Sequence, residues 1–297
     1  MAHATVFAPV PPTARSSPLS ARVVAALCVL AAVFAATFVL APGPLASSTS
    51  GASLANRDTL DNAAKTAFVG YWNSGSRTFT PDMARVVDYW RQYHVVKAIA
   101  AALLLLVAIM LTVRLWRALL GAGARDTRTR FGLAAGWTLA TLLTVGSVLL
   151  VMANVQGSIA PLSSAITLLP FHTSETGLST ALAQIRTDLT GYSHAGAHHP
   201  PIVARMVDDF ATYHAVIAVL TAIVLLVVLA MSVALWKRFR AIGKTGTSDD
   251  RRTRRLLAAL GTMLAVTGLA TLLVCVANTG TTADPAPALL ALFQGGW

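Results

Sequence analysis

Of 297 residues, 55% are hydrophobic and only 12% are charged, and the mean hydropathy is +0.65. Soluble domains carry about a quarter of their residues as charges, so this composition excludes an ordinary water-soluble domain and points to a membrane protein. The net charge of +11 would suit a nucleic-acid binder, but its distribution along the chain excludes that reading.

Residues 1–21, with "VFAPVPPTARSSP", are expected to be disordered. Residues 22–41 open a series of five apolar runs near Arg22–Ala41, Val95–Trp116, Leu133–Asn154, Ala215–Trp236 and Leu257–Asn278. Each has the roughly 20 residues that a helix needs to cross about 30 Å of hydrocarbon. A helix satisfies its own backbone groups in lipid, and the runs lack the period-2 alternation of a barrel strand. "SLAN", ending at Asn56, imitates a signal-peptidase site. The first run is nonetheless longer than the roughly 7–15 residues of a signal peptide and is read as a retained anchor. Its Cys28, Ala32, Ala35 and Ala36 are spaced for close helix packing. Cys28 and Cys275, the only cysteines, both lie inside apolar runs and are read as packing residues. Ala41–Ser53, rich in Pro, Ser and Gly, is expected to be a flexible linker.

A word then recurs. "DYWRQYH" at 88–94 returns as "DDFATYH" at 208–214, and sixteen of the 40 aligned positions of Pro81–Leu120 and Pro201–Arg240 are identical. Shared hydrophobicity would match Leu and Val, but not Arg85/Arg205, Asp88/Asp208, Tyr93/Tyr213, His94/His214 and Trp116/Trp236. The next span continues the likeness, with Asn154 and Asn278 each seven residues before a proline. Residues 54–170 and 171–297 are therefore read as two copies of one unit, an outer segment followed by two spans. Two spans per copy make these parallel repeats. The outer segments, with helical patterns such as "TLDNAAKTAFVGYW", are expected to form interfacial helices. The fold expected is an all-α membrane protein of five spans built on a tandem helical hairpin.

With the N-terminus inside, the inner face holds 15 basic residues against three acidic ones, and the outer side eight against nine. The positive-inside rule then sets the N-terminus in the cytoplasm and the C-terminus outside. Anionic inner-leaflet lipid is the partner this charge implies, with no nucleic acid. Nineteen arginines against four lysines, with abundant alanine, suggest a bacterial cytoplasmic membrane.

Candidate chemistry is sparse. Arg85–Asp88 and Arg205–Asp208 have the i,i+3 spacing of helical ion pairs. Tyr93-His94 and Tyr213-His214 stand where aromatic belts anchor helices. If the two histidines converged they could ligate a haem or another metal, with Arg85 and Arg205 holding an anionic group. His194, His198 and His199 in "SHAGAHHPP" could take a metal but are read as a polar loop. Asn154 and Asn278 are expected to bond between helices or end them. Trp116 and Trp236 are read as structural. Lys97 is expected to snorkel outward. No span contains Asp or Glu, which argues against a proton-driven transporter. HExxH, GxSxG and CxxC are absent, and "GKTGT" at Gly243 lacks the first P-loop glycine. The sequence favours a non-enzymatic protein that binds a lipid or small ligand, or assists a membrane assembly with a protein partner or a second copy. A histidine-based membrane oxidoreductase is the alternative, and a transporter not driven by intramembrane carboxylates is the third reading.

Overall fold

The structure, a computed structural model, describes residues 21–50, 53–121, 127–192, 199–242 and 248–296. Among them there is helix and no strand. The helices are α1 (Ala21–Leu40), α2 (Pro42–Ser50), α3 (Arg57–Ser74), α4 (Pro81–Gly121), α5 (Thr127–Ile159), α6 (Pro161–Ile166), α7 (Thr176–Thr190), α8 (Pro201–Ala241), α9 (Ser248–Ala283) and α10 (Pro285–Phe293). Five of them, α1, α4, α5, α8 and α9, are long and apolar enough to cross a membrane. The chain divides into two units, one from Met1–Ala36 and Ala101–Val148, the other from Thr37–Ala100 and Leu149–Trp297.

In the second unit, the first turns of α4 and α8 form walls of a helical core, and α8 continues as an apolar rod. Each has 41 residues, about 60 Å at 1.5 Å per residue, roughly twice a hydrocarbon core. The first turns of α8 bury Ile202, Val203, Met206, Val207 and Phe210. Farther on, Val219, Ile223, Leu226 and Val227 are exposed. In water each such side chain would forgo about 1.5–3 kcal/mol of burial, so this surface suits lipid.

Proline begins each turn back into the core. Pro161 and Pro285 cannot continue the hydrogen-bond ladders of α5 and α9, and α6 and α10 start there. α10 buries Ala286, Leu289, Leu292 and Phe293. α3 and α7 complete the core with matching stripes, Leu60, Ala64, Ala67, Phe68 and Tyr71 on one and Leu178, Ala181, Leu182, Ile185 and Leu189 on the other. Both repeat at three to four residues, as a one-sided helix requires. Trp72 Nε1 donates to Gln184 Oε1 between them at 2.7 Å. Arg186 donates to the carbonyls of Phe293 (2.8 Å) and Phe171 (3.0 Å), tying the end of α10 to α7. Asn56 caps α3 by accepting from the backbone of Asp58 and Thr59.

Two expectations are corrected. Ala41–Ser53 is not a linker throughout, because Pro42–Ser50 is helical with Ala46 fully buried. Pro42 stands at the first helical position, where proline is tolerated. Ser48, Thr49 and Ser50 turn their hydroxyls onto carbonyls three or four residues back. The packing face of α1 is also different. In the first unit Leu27 and Ala31 pack with Leu104, Val107 and Leu111 of α4 and Ala140 of α5, while Cys28, Ala32, Ala35 and Ala36 are exposed. Larger side chains fill the contact better than the small stripe. Residues 1–20 lie outside the described residues.

The buried core and the apolar rods respond differently to truncation. Phe68→Ala is expected to lower stability in detergent by about 3–5 kcal/mol, as for a core phenylalanine. Leu226→Ala, on the exposed face, is expected to change it by about 0.5 kcal/mol or less. Thermal unfolding followed by circular dichroism measures both.

Candidate functional site

The recurring histidines each join two helices. His94 lies on α4, and its Nδ1 is 3.0 Å from Asn154 Oδ1 on α5. Asn154 is itself fixed, because its Nδ2 donates to the Leu150 carbonyl at 2.7 Å, so Oδ1 is the atom that faces the ring. On the other side of the imidazole, Nε2 is 3.1 Å from Ser164 Oγ. Trp90 Nε1 lies 2.9 Å from that same oxygen.

With a neutral imidazole, one hydrogen arrangement satisfies all four contacts. An indole N–H only donates, so Ser164 Oγ accepts from Trp90 and gives its own proton to His94 Nε2. Nδ1 must then carry the imidazole proton and donate to Asn154. The chain runs Trp90 to Ser164 to His94 to Asn154 to the Leu150 carbonyl, and both ring nitrogens are engaged. The ring also lies against the α5 backbone. A Cβ at Gly157 would stand 2.8 Å from its Cδ2, inside van der Waals contact, so glycine is what lets the imidazole reach Asn154.

His214 repeats half of this. Its Nδ1 is 2.7 Å from Asn278 Oδ1, and Asn278 Nδ2 donates to the Val274 carbonyl at 2.8 Å. The aligned partners differ, Phe210 for Trp90 and Ala288 for Ser164. His214 Nε2 is buried with no hydrogen-bond partner. Phe210 packs edge-on to the ring, with centroids 4.5 Å apart. Tyr93 and Tyr213 border the two histidines, at 5.8 and 5.7 Å between centroids. Each imidazole is bound to its own asparagine, and among the described residues no hydrogen bond or ring contact joins His94 to His214. Nor do three or more His, Cys, Asp or Glu side chains gather there as a metal site.

The expected ion pairs do not form. Arg85 pairs with Asp82, and Asp88 with Arg91 at 2.7 Å. Arg85 and Arg91 both turn back along α4, the direction in which helical side chains lean, and so meet the acids three residues before them. At the aligned positions of α8, Ile202 and Ala211 stand in place of Asp82 and Arg91. Arg205 accordingly lies over the Phe79 ring at 5.1 Å, and Asp208 takes Arg77 at 2.5 Å. Burial raises the pKa of the nearby Tyr71 against the pull of Arg205 and Arg77, which keeps the phenol neutral. Its hydroxyl donates to the Arg77 carbonyl at 3.3 Å.

Asp209, Ser163 and Gln156 escaped sequence reasoning. Asp209 Oδ2 accepts from both the backbone N–H and the hydroxyl of Ser163, each at 2.8 Å, and so pins the first turn of α6 to α8. Asp209 stands on the face of α8 that buries Ile202, Met206 and Phe210, and that position was the available signal. Gln156 Nε2 donates to the Tyr213 carbonyl at 3.1 Å, linking α5 to α8. Lys97 lies over Phe38 at 4.4 Å and Tyr93 at 5.2 Å. Trp116 packs on Trp137 and Trp236 on Phe239. His199 stacks on Tyr192, with centroids 4.0 Å apart. His194 and His198 lie outside the described residues.

Compared with protein-family models, curated proteins and solved structures, the chain has no match.

Ser164→Ala removes both the acceptor of Trp90 and the donor of His94, and is expected to cost about 1–3 kcal/mol, the penalty for stranding a buried polar group. Gly157→Ala is expected to destabilise as well, because the imidazole must move off Asn154. Thermal unfolding in detergent tests both, and an unchanged midpoint for Ser164→Ala would remove the relay.

Proposed function

We propose that the chain is a non-enzymatic multipass membrane protein that binds a lipid or small apolar ligand, or assists a membrane assembly with a protein partner or a second copy. The observation that carries this reading is the engagement of both His94 nitrogens within the protein. An imidazole bound by Ser164 and Asn154 has no free atom for a metal or a substrate proton, and it serves to lock helices. Asp209 is likewise spent on Ser163.

The duplication belongs to this proposal. Its support is that the aligned pairs His94–Asn154 and His214–Asn278 make the same bond, each asparagine anchored to the carbonyl four residues before it. The threading belongs to it too, with the N-terminus cytoplasmic, the C-terminus extracytoplasmic and the basic inner loops against anionic lipid of a bacterial cytoplasmic membrane.

A second reading is favoured by one atom. His214 Nε2 is buried without a partner while its Nδ1 donates to an amide oxygen. Metal-ligating histidines commonly have that arrangement, so an oxidoreductase with haem or another metal on His214 is the alternative. A reduced-minus-oxidised spectrum of the purified protein separates the two. A featureless spectrum is expected. A Soret shift with sharp visible bands, lost in His214→Phe and kept in His94→Phe, would replace the first reading by the second.

The threading has its own test. In a Cys28→Ala, Cys275→Ala background, Ser76→Cys is expected to react with an impermeant thiol reagent in intact cells and Thr127→Cys to resist it. The reverse pattern would invert the orientation.

A further inference from the structure

The two long hairpins align beyond the histidines, and there they differ in a way that leaves a space. "LAAGWT" at 133–138 falls on "LAALGT" at 257–262 in the register that pairs Asn154 with Asn278, so Gly261 stands where the first hairpin has Trp137. Between α4 and α5, in the first unit, Trp137 packs on Trp116 with ring centroids 5.0 Å apart. One hydroxyl pair, Thr112 and Thr144 at 3.1 Å, adds to the contact. Between α8 and α9, in the second unit, an added Cβ on Gly261 would meet nothing within 4 Å. The vacant indole position opens into a cavity of about 270 Å³ lined by Ser232, Trp236, Phe239, Gly261, Thr262 and Ala265 among others. The wall residues recur at three to four positions on each helix, so the cavity follows the groove between them.

What lies at the mouth identifies the occupant. In sequence, the segment 237–255 that joins the two walls of the groove carries eight basic residues and two acidic ones. Two arginines sit on the aromatic walls themselves, Arg240 at 5.8 Å from the Trp236 ring and Arg254 at 4.5 Å from that of Phe239. Lys237 and Arg238 are exposed beside them. Around the groove the side chains are apolar and exposed, among them Val233, Leu256, Met263 and Val266, so the entrance faces the lipid phase. Trp236, at the end of the apolar run, marks headgroup depth. An apolar slot that opens to acyl chains, with cations one turn away at phosphate level, is complementary to an anionic phospholipid.

We propose that the α8–α9 groove holds part of one acyl chain of an anionic phospholipid, with its phosphate met by Arg240 and Arg254. The volume is at the small end of ligand pockets, which run about 300–1,000 Å³, and so suits a segment of one chain rather than a whole lipid. The proposal rests on the lipid-binding reading above and names its site and lipid class.

The test uses the full chain in detergent, titrated with dioleoylphosphatidylglycerol or dioleoylphosphatidylcholine, with bound lipid counted by native mass spectrometry. Wild type is expected to prefer phosphatidylglycerol by about tenfold or more, given two cations at headgroup depth. Gly261→Trp, which restores the indole of the first hairpin, is expected to abolish that binding and leave the melting temperature unchanged or higher. Arg240→Gln with Arg254→Gln is expected to bring the preference near unity. Should Gly261→Trp fail to fold, Ala265→Leu fills the same groove and is read in the same way. Tight phosphatidylglycerol binding that survives a folded, filled groove would overturn the site and leave the lipid-binding reading standing. Retention of neither lipid by wild type would overturn both. Self-association that disappears in Gly261→Trp, without selective lipid binding, would overturn the site in favour of a second copy.

Discussion

A bond from an imidazole N–H to an amide oxygen, made once by His94 and once by His214, governs how the long helices pair in the larger unit. Its direction is set from outside the ring. Each asparagine spends its amino group on the carbonyl four residues earlier, which leaves only its oxygen to face histidine. The imidazole must then be protonated on Nδ1 and present a lone pair on Nε2. Everything that distinguishes the two junctions follows from what meets that lone pair. Ser164 fills it at His94 and brings Trp90 along. At His214 the aligned alanine and phenylalanine cannot.

Lysines, arginines and acids at the helix entrances are less constraining. The pairs Arg57–Asp61, Arg85–Asp82 and Arg91–Asp88 are exposed, and such pairs contribute about 0–1 kcal/mol. Buried and doubly bonded, Asp209 weighs more, because loss of the Ser163 hydroxyl would leave a buried carboxyl oxygen with one donor of two. The strength of the architecture therefore lies in a few buried polar contacts set among apolar ones, and the charged surface mainly adjusts it.

The apolar runs were legible because hydrocarbon imposes a length and a composition that few other environments impose, and all five fall on helices of sufficient length. Recurrence in the sequence drew attention to His94, His214, Asn154 and Asn278 without linking histidine to asparagine, since 60 and 64 residues separate the partners. Identity between the aligned segments also misled. Arg85–Asp88 and Arg205–Asp208 recur in the right spacing, but Arg85 turns back to Asp82, Asp88 is taken by Arg91, and Asp208 by Arg77. Asp209 was overlooked for the complementary reason. It has no acidic counterpart, Tyr89 standing at the aligned position, and only its place on the buried face of α8 marked it. The serines of α2 read as linker because composition does not reveal that their hydroxyls would turn onto their own helix.

Difference between the aligned segments carries more functional information than likeness. Where the first has Trp90, Ser164, Trp137 and Thr144, the second has Phe210, Ala288, Gly261 and Gly268. All four changes remove a polar group or a large side chain that joins helices in the first. α8 and α9 stay together through apolar contact, the His214–Asn278 bond, the Cys275 thiol on the Ala218 carbonyl and Arg254 on the Phe239 ring, yet they retain an unpartnered nitrogen near one end and an open groove near the other. Close packing normally eliminates both, since an empty slot forfeits dispersion contacts on every wall and a buried lone pair forfeits a hydrogen bond. The α8–α9 pair keeps both features where its aligned counterpart has closed them, and so offers room and a free acceptor that the other pair does not. Under the lipid proposal, the arginines over Trp236 and Phe239 supply the cations, and the groove the apolar surface, that an anion with an apolar tail requires.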